Sequence, residues 1–366
     1  MASASPKIPP LPLLRAIGRF RDGLAALHRR TTPGHIALLE LQMTGFLSQA
    51  IGAAAELGIA DALAEGPRQP GDLARAIGVD EDGLRRLMRL LISFEIFKQR
   101  RDGSYQLNGI AQALRSDTDV SLRNLFLFFG SEYHRSHWTH LADAVRTGKS
   151  VGPTLDGMEF FAYAAEHREI GEVFDRAMTS ISSLATAPLL AAYDFGRYGT
   201  IVDIGGGHGS LLIDILHRQP STRGIIFDLP EVVKELPQQL SSSGLTGRLT
   251  IETGSFFEAV PAGGDAYILK HILHDWSDEA AGRILRSVRA AMDAETRLLI
   301  IDIVMPAHRR PHPGKFIDLE MLVNTEGGRE RTQDELGTLL SRSGFVLTRV
   351  IPTAAPDSII EAHPAW

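Results

Sequence analysis

Apolar residues in the first third of the chain recur at the spacing of α-helices. Over residues 35–63 they predict one or two helices that face a core. A second pattern covers residues 71–91, where Gly78 interrupts the apolar spacing and the Asp80 side chain is suited to cap the next helix. This order predicts two short helices joined by a turn.

A β-hairpin is predicted directly after these two helices. Residues 96–98 and 105–107 have strand character, and Asp102 with Gly103 between them has the chemistry of a tight turn. Two helices followed by a hairpin form a winged-helix pattern. Residues 121–191 are then helical again and rich in phenylalanine, with a break expected at Gly152 and Pro153.

From residue 200 onward the pattern changes to short β-rich runs separated by helical stretches. The predicted strands are 201–204, 224–227, 249–251, 266–269, 298–304, 345–350 and 358–362. Alternating strands and helices predict an α/β fold with a parallel sheet, whose ligand binds at the carboxyl ends of the strands.

The composition is that of an ordinary globular protein. The 366 residues include 44% hydrophobic and 22% charged side chains, and the length favours two domains. A formal charge of −6 gives the chain as a whole no electrostatic reason to bind nucleic acid or an anionic membrane. Because the chain has no cysteine, disulfides and thiolate metal sites are excluded, and we expect a cytoplasmic protein.

A glycine-rich turn is predicted where the first strand of the sheet ends. Asp203 lies near the end of that strand, and residues 205–209 read Gly-Gly-Gly-His-Gly. Asp228 ends the second strand, from which a carboxylate can accept hydrogen bonds from both hydroxyls of a ribose. A dinucleotide fingerprint would need its third glycine at Ser210, so the pattern favours a nucleoside without phosphates. The charge of Asp203 favours a cationic amino-acid group on that ligand.

Five motifs in this order resemble the small-molecule O-methyltransferases that use S-adenosylmethionine, both the plant caffeate and isoflavone type and the bacterial polyketide type. The motifs are DIGGGHG (203–209), FDLP (227–230), GSFF (254–257), LKHILHDW (269–276) and GGRERT (327–332). The resemblance runs from about residue 35 onward. It implies a Rossmann-like seven-stranded methyltransferase sheet and an N-terminal all-helical, winged-helix dimerisation domain.

The resemblance also implies which residues hold the cofactor and the acceptor. Together with the glycine turn, it gives the expected cofactor residues Asp203, Gly205, Gly207, Asp228, Leu229, Ser255, Phe256 and Lys270. The implied substrate residues are Met178, Met321 and Asn324. Flexible thioethers suit flat aromatic acceptors, although each methionine could equally belong to an ordinary core. Position 255 is usually Asp in the family, so the neutral Ser255 departs from its pattern.

The general base that the resemblance implies is His274. Methyl transfer to oxygen must align the acceptor with the sulfonium and remove the acceptor's proton, which a histidine can take. Asp302, where Glu is commoner in the family, and Glu330 are the implied carboxylates that hold the histidine in one tautomer. A metal cluster of His271 and His274 with Asp275 and Asp278 is the alternative interpretation. His271 and Asp275 would face each other on a helix, but a metal site usually needs a third firm ligand and no HExxH or similar spacing is present, so we expect no metal.

Three functions remain open at this point. The first is S-adenosylmethionine-dependent O-methyl transfer to an aromatic or polyketide-like small molecule, by a homodimer without nucleic-acid or membrane partners. The second keeps the fold and the cofactor but hydroxylates or decarboxylates a polyketide. The third is a winged-helix DNA-binding regulator. Residues 71–101 contain seven Lys and Arg against five Asp and Glu, too small an excess for a surface that follows phosphates.

The expected organisation has four parts. Residues 1–34 are a Pro-rich arm with a short basic helix, and residues 35–115 form the winged-helix-like dimerisation domain. Residues 116–191 form a connecting helical layer that contributes to the substrate pocket. Residues 192–366 form the methyltransferase domain that binds S-adenosylmethionine.

Overall fold

The computed structural model describes residues 8–118, 120–234, 236–241 and 243–365. The chain divides into two compact units. The first unit comprises residues 20–139 and 161–181, and the second comprises the described residues of 1–19, 140–160 and 182–366.

The helices are α1 (Leu11–Thr31), α2 (Gly34–Glu56), α3 (Ile59–Ala62), α4 (Pro70–Ile77), α5 (Glu81–Ser93), α6 (Arg123–Gly130), α7 (Glu132–Thr139), α8 (Leu141–Thr147), α9 (Gly152–Leu155), α10 (Phe160–Glu166), α11 (Arg168–Ala192), α12 (Ser210–Arg218), α13 (Leu236–Ser241), α14 (Asp278–Ala290), α15 (Pro313–Asn324) and α16 (Gln333–Arg342). The strands are β1 (Lys98–Gln99), β2 (Tyr105–Gln106), β3 (Thr200–Ile204), β4 (Arg223–Asp228), β5 (Leu249–Thr253), β6 (Ala266–Lys270), β7 (Arg297–Asp302), β8 (Phe345–Pro352) and β9 (Ser358–Pro364). Among the described helices, none combines the length and the apolar character needed to cross a bilayer.

The winged-helix pattern of the sequence is present in the first unit. Gly78 ends α4 in a left-handed conformation, and the Asp80 side chain accepts a hydrogen bond from the Gly83 amide at 2.7 Å, which caps α5. The β1–β2 hairpin is antiparallel and shorter than predicted. Ile96 and Phe97 are buried in the core of this unit instead of pairing in the ladder.

The N-terminal helices differ in one respect from the sequence pattern. α1 runs for 21 residues without a buried side chain, so the expected short basic helix is a long one. The first seven residues of the expected arm lie outside the described residues. α2 and α3 lie in the region where the spacing over 35–63 predicts one or two helices.

The helix break expected at Gly152 and Pro153 lies before these two residues, which begin a helix instead of ending one. α8 ends before Gly148, which has a φ of 66°, and Gly152 instead begins α9. Pro153 is tolerated there because the first turn of a helix leaves its amide groups without intrahelical acceptors. The helical character predicted for residues 121–191 is present in α6 to α11.

The second unit is built on a seven-stranded sheet with the order β5-β4-β3-β6-β7-β9-β8. Neighbouring strands from β3 to β7 are parallel, whereas β9 is antiparallel to both of its neighbours. The prediction of a parallel sheet is therefore wrong for β9. Only residues 353–357 connect β8 to β9, and a parallel connection needs a dozen residues or more.

The strand order reverses between β3 and β6, which is where ligands bind in open α/β sheets. The chain passes from β3 outward to β4 and β5, and then continues on the other side with β6 and β7. The last residues of β3, β4, β6 and β7 are Ile204, Asp228, Lys270 and Asp302. The carboxyl ends of these parallel strands meet along one edge, so the predicted site residues that follow them lie near this reversal.

Candidate active site

The glycine-rich turn leads from β3 into α12. Its first amide, that of Gly205, donates a hydrogen bond to the Phe227 carbonyl at 2.8 Å. Gly207 has a φ of 54° and no heavy atom within 4 Å of the place where a side chain would begin, so the turn leaves open space there. The Gly207 amide donates to Asp228 Oδ2 at 2.8 Å, and the Leu229 amide donates to Oδ1 at 2.7 Å. Three of the expected cofactor residues are thus in contact.

Two ionisable side chains, the buried Asp203 and the half-buried Lys270, lie beside this turn. Asp203 is 3% exposed, and burial raises its pKa to about 7 although Lys270 lowers it. Lys270 donates from Nζ to Ser182 Oγ at 2.7 Å, and burial lowers its pKa. No hydrogen bond from the described part of the chain reaches the Asp203 carboxylate. Because buried polar groups are normally satisfied, this carboxylate suits a ligand that carries an ammonium group.

Ser255 and Phe256 lie in the turn after β5. The Ser255 hydroxyl accepts a hydrogen bond from the Phe257 amide at 3.3 Å, so this side chain caps its own turn. The ring centroid of Phe256 lies 5.0 Å from that of Phe257 and 6.2 Å from that of Trp276. Aromatic rings grouped in this way suit a flat ligand.

His274 lies on a 3₁₀ turn between β6 and α14 and is surrounded by carboxylates. Nδ1 is 2.9 Å from Glu330 Oε1 and 3.9 Å from Asp302 Oδ1. Nε2 is 3.5 Å from Asp275 Oδ1, a neighbour that the sequence suggested only as a metal ligand. In the neutral ring the hydrogen bond to Glu330 favours the tautomer with the proton on Nδ1, and Nε2 is then the nitrogen that can accept a proton from another molecule.

These carboxylates change the acid strength of the histidine. Burial lowers the pKa of His274, but Asp275, Asp302 and Glu330 together raise it to a value above the ordinary 6.5. Burial also raises the pKa of Asp302 to about 8, where His274 opposes the shift and Glu330 adds to it. At neutral pH the cluster therefore retains protons that isolated side chains of these types would release.

A close approach between two chain segments sets this geometry. The Arg329 amide donates a hydrogen bond to the His274 carbonyl at 2.7 Å. At Gly328 a Cβ atom would lie 2.6 Å from that same carbonyl oxygen, so a residue with a side chain could not come so near without moving the turn. The absence of a side chain at Gly328 thus allows Glu330 to reach His274.

Two of the residues expected at the substrate pocket share one face of α15. Met321 and Asn324 are three positions apart, and both are buried. Asn324 donates from Nδ2 to Glu320 Oε1 at 2.9 Å. Met178 lies half-buried on the part of α11 that belongs to the first unit.

A second histidine–carboxylate pair was missed by sequence reasoning. His271 Nε2 is 2.8 Å from Asp357 Oδ1, and the His271 ring stacks on the His274 ring with centroids 5.5 Å apart. Burial lowers the pKa of His271 to about 4. His271 has a φ of 53°, so it does not share a helical face with Asp275, as the metal interpretation required. Within the described ranges, no group of three or more His, Asp or Glu side chains is arranged to hold a metal ion.

Known proteins similar to this chain are methyltransferases by name. A family model of the O-methyltransferase domain matches residues 138–346, and a model of the O-methyltransferase dimerisation domain matches residues 39–117. The chain is 39% identical to the phenazine O-methyltransferase PhzM of Lysobacter antibioticus, over 90% of this chain and 96% of that protein. It is 36% identical to an 8-amino-8-demethylriboflavin N,N-dimethyltransferase of Streptomyces davaonensis, over 85% of this chain and 90% of that protein.

The chain is also similar to a solved structure of an O-methyltransferase from neocarzinostatin biosynthesis. That structure is a complex with S-adenosylmethionine and 2-hydroxy-5-methyl naphthoic acid. The TM-score is 0.74 at 31% sequence identity, and the match covers 87% of this chain and 96% of that one. The likeness therefore extends over both units.

Proposed function

Because the chain belongs to the O-methyltransferase family of S-adenosylmethionine-dependent enzymes, we propose that it methylates a hydroxyl of an aromatic or polyketide-like small molecule. In this proposal His274 is the general base, and Asp302 and Glu330 support it. The observation that carries the proposal is the hydrogen bond between His274 Nδ1 and Glu330. In the neutral ring this hydrogen bond leaves Nε2 as the proton acceptor, at the carboxyl edge of the sheet.

The carboxyl edge of the sheet offers groups suited to S-adenosylmethionine. When bound, this molecule supplies an electrophilic methyl group on a positively charged sulfur. The buried Asp203 carboxylate would hold its ammonium group, and Asp228 at the end of β4 would accept hydrogen bonds from its ribose. Gly207 leaves room for close approach, and Phe256 offers an aromatic neighbour for its adenine. The neocarzinostatin relative, which is bound to the same molecule, supports this assignment.

The carboxylates around His274 make it a better base for a hydroxyl group. A phenol has a pKa of about 10 and an isolated histidine one of about 6.5, so moving the proton before attack costs about 5 kcal/mol. Each pKa unit that His274 gains from its carboxylates reduces this cost by about 1.4 kcal/mol. Moving one proton from the phenol to neutral His274 gives an imidazolium and a phenolate, with no proton gained or lost overall. A raised His274 pKa shifts this equilibrium toward the phenolate, which is the nucleophile.

A nitrogen acceptor is the second candidate. Similarity to the riboflavin relative favours it, because that protein is named an N,N-dimethyltransferase. An amine also releases a proton when it is methylated, so the same base would serve. Hydroxylation or decarboxylation on this fold would transfer no methyl group from S-adenosylmethionine to the product, and this separates these reactions from both candidates.

We further propose that the protein is a homodimer assembled through its N-terminal domain. The model of a dimerisation domain covers residues 39–117. In the same region Leu41, Met43 and Phe46 on α2 are 53%, 52% and 64% exposed. A cluster of exposed apolar side chains on one helix is typical of a surface that binds another protein. Light scattering at micromolar concentration should give the mass of two chains. A mass of one chain would contradict the proposal.

The experiment that tests the function uses S-adenosylmethionine labelled on its methyl group, with a panel of phenols, naphthols, phenazines and aromatic amines. We expect label in the product of at least one hydroxylated aromatic acceptor, with no added metal and in the presence of a chelator. Activity that a chelator abolishes and magnesium restores would place the enzyme in a different methyltransferase class. Label on aromatic amines alone would favour the nitrogen candidate.

The role of His274 is tested on the acceptor found in that screen. His274→Gln should lower turnover roughly 10²- to 10⁴-fold, the usual contribution of a positioned acid–base group. Binding of S-adenosylhomocysteine, measured by calorimetry, should be nearly unchanged. His217→Gln, which alters an exposed histidine at the end of α12, is the matched control and should leave turnover unchanged. Near-normal turnover in His274→Gln would contradict the general-base role.

A further inference from the structure

Arg331 is a buried arginine that the proposed reaction does not use. Its side chain is 3% exposed. Nη1 donates to the Leu273 carbonyl at 2.7 Å, and Nη2 donates to the Trp276 carbonyl at 2.8 Å. Nε donates to Asp278 Oδ1 at 2.9 Å. The guanidinium therefore holds two carbonyls that lie before and after His274 in the chain.

The backbone of Arg331 is held as well. Its carbonyl accepts a hydrogen bond from the Met305 amide at 2.9 Å, and a parallel bridge pairs it with Val304. These two residues closely follow Asp302 at the end of β7. Arg331 thus connects the chain after β7 to the turn that carries the histidine.

Glu330 and Arg331 are neighbours in the chain and contact the same turn at different points. Glu330 bonds the ring of His274, whereas Arg331 bonds the backbone on both sides of it. The position of the ring relative to Glu330 therefore depends on how firmly the guanidinium holds the turn.

We propose that Arg331 is a positioning residue for the pair formed by His274 and Glu330. The proposal rests on the proposed role of His274 as the base. The planar fork of arginine can bond two carbonyls and a carboxylate at once, which the ammonium group of lysine cannot do in the same geometry. In Arg331→Lys the turn is held less firmly, and the hydrogen bond from His274 to Glu330 weakens.

The test is the pKa of His274, measured by NMR on the full chain with ¹³C-labelled histidine rings and no acceptor. The signal of His274 is the one that disappears in His274→Gln. In Arg331→Lys we expect this pKa to fall by about half a unit to one unit, because the carboxylate that raises it moves away. The titratable groups that interact with His274 remain in this variant: His271, Asp275, Asp302, Glu330 and Asp357.

A Glu330→Gln background distinguishes positioning from a general loss of structure. If Arg331 acts through the Glu330 carboxylate, Arg331→Lys should shift the His274 pKa much less in that background, where only a neutral hydrogen bond remains. The matched control is Arg329→Met, which removes an exposed guanidinium that contacts Glu335, and it should not shift the pKa in either background. An unchanged His274 pKa in folded Arg331→Lys would overturn the proposal. So would an equal shift in both backgrounds.

A second variant keeps the test decisive if Arg331→Lys does not fold. Asp278→Asn removes only the charge of the carboxylate partner of the guanidinium, and the Asp278 side chain is 61% exposed. It should lower the His274 pKa in the same direction by a smaller amount, and no change would count against the proposal. Because these measurements need no acceptor, a failure of methyl transfer in the labelling screen is a separate outcome. It would remove the proposed function while the positioning effect could still be observed.

Discussion

Replacing Glu330 with glutamine should lower the pKa of His274 by about one unit. The Glu330 carboxylate lies 2.9 Å from Nδ1, and its side chain is 1% exposed, so solvent screens this contact very little. A hydrogen bond to a charged group contributes about 1.5–3 kcal/mol, and the neutral one that an amide oxygen can still accept contributes about 0.5–1.5 kcal/mol. The difference of roughly 1–1.5 kcal/mol corresponds to about one pKa unit.

The assay is the ring titration of the labelled protein across the neutral and alkaline range, with two comparison variants. Asp302→Asn should also lower the His274 pKa, because the Asp302 carboxylate 3.9 Å from Nδ1 contributes to raising it. Glu326→Gln removes an exposed charge from the segment that carries Glu330 and should have no effect. A His274 pKa that stays constant or rises in Glu330→Gln would refute the idea that this carboxylate holds the proton on the ring.

Three further outcomes are expected. Gly328→Ala should abolish turnover, because its Cβ would lie 2.6 Å from the His274 carbonyl oxygen. The control Gly337→Ala, where the nearest atom lies at 3.8 Å, should retain turnover. Equal activity of the two variants would contradict this prediction. Asp228→Ala should weaken S-adenosylhomocysteine binding about ten- to a hundredfold in calorimetry, since it loses charged hydrogen bonds, and an unchanged affinity would remove this residue from the cofactor site. The pKa of His271 is lowered to about 4 in the folded protein, so on acidification the unfolded state takes up a proton at this histidine before the folded state does. The free energy of unfolding should therefore fall by about 3 kcal/mol as the pH drops from 6.5 to 4. In thermal melts at acidic pH, His271→Asn should lose less stability than the original protein.

The parts of the fold that depend on local chemistry could be predicted from the sequence. The cap at Asp80 and the turn at Gly78 each need only a few neighbouring residues, and both are present. The strands of the large sheet were located for the same reason. The orientation of β9 was missed, although the short connection of 353–357 was visible and already excludes a parallel crossover.

The partners that come from distant parts of the chain could not be predicted from residue patterns. His271 meets Asp357, 86 positions away, because β9 pairs with β7 and brings the start of that strand beside the carboxyl edge. The direction in which the His274 pKa shifts could not be predicted from the sequence either. The resemblance implied two carboxylates, but their effect depends on distances and burial, and Asp275 adds to it from the other side of the ring.

The order of strands has a consequence for how the protein is made. β9 follows β8 in the chain yet lies between β7 and β8 in the sheet, so β8 cannot join the sheet until β9 has been synthesised. Until then β7 is an open edge whose unpaired amides and carbonyls could pair with other strands. An unpaired strand edge of this kind favours aggregation while the chain is incomplete. Substitutions that weaken the β8–β9 hairpin should therefore reduce the yield of folded protein before they affect catalysis.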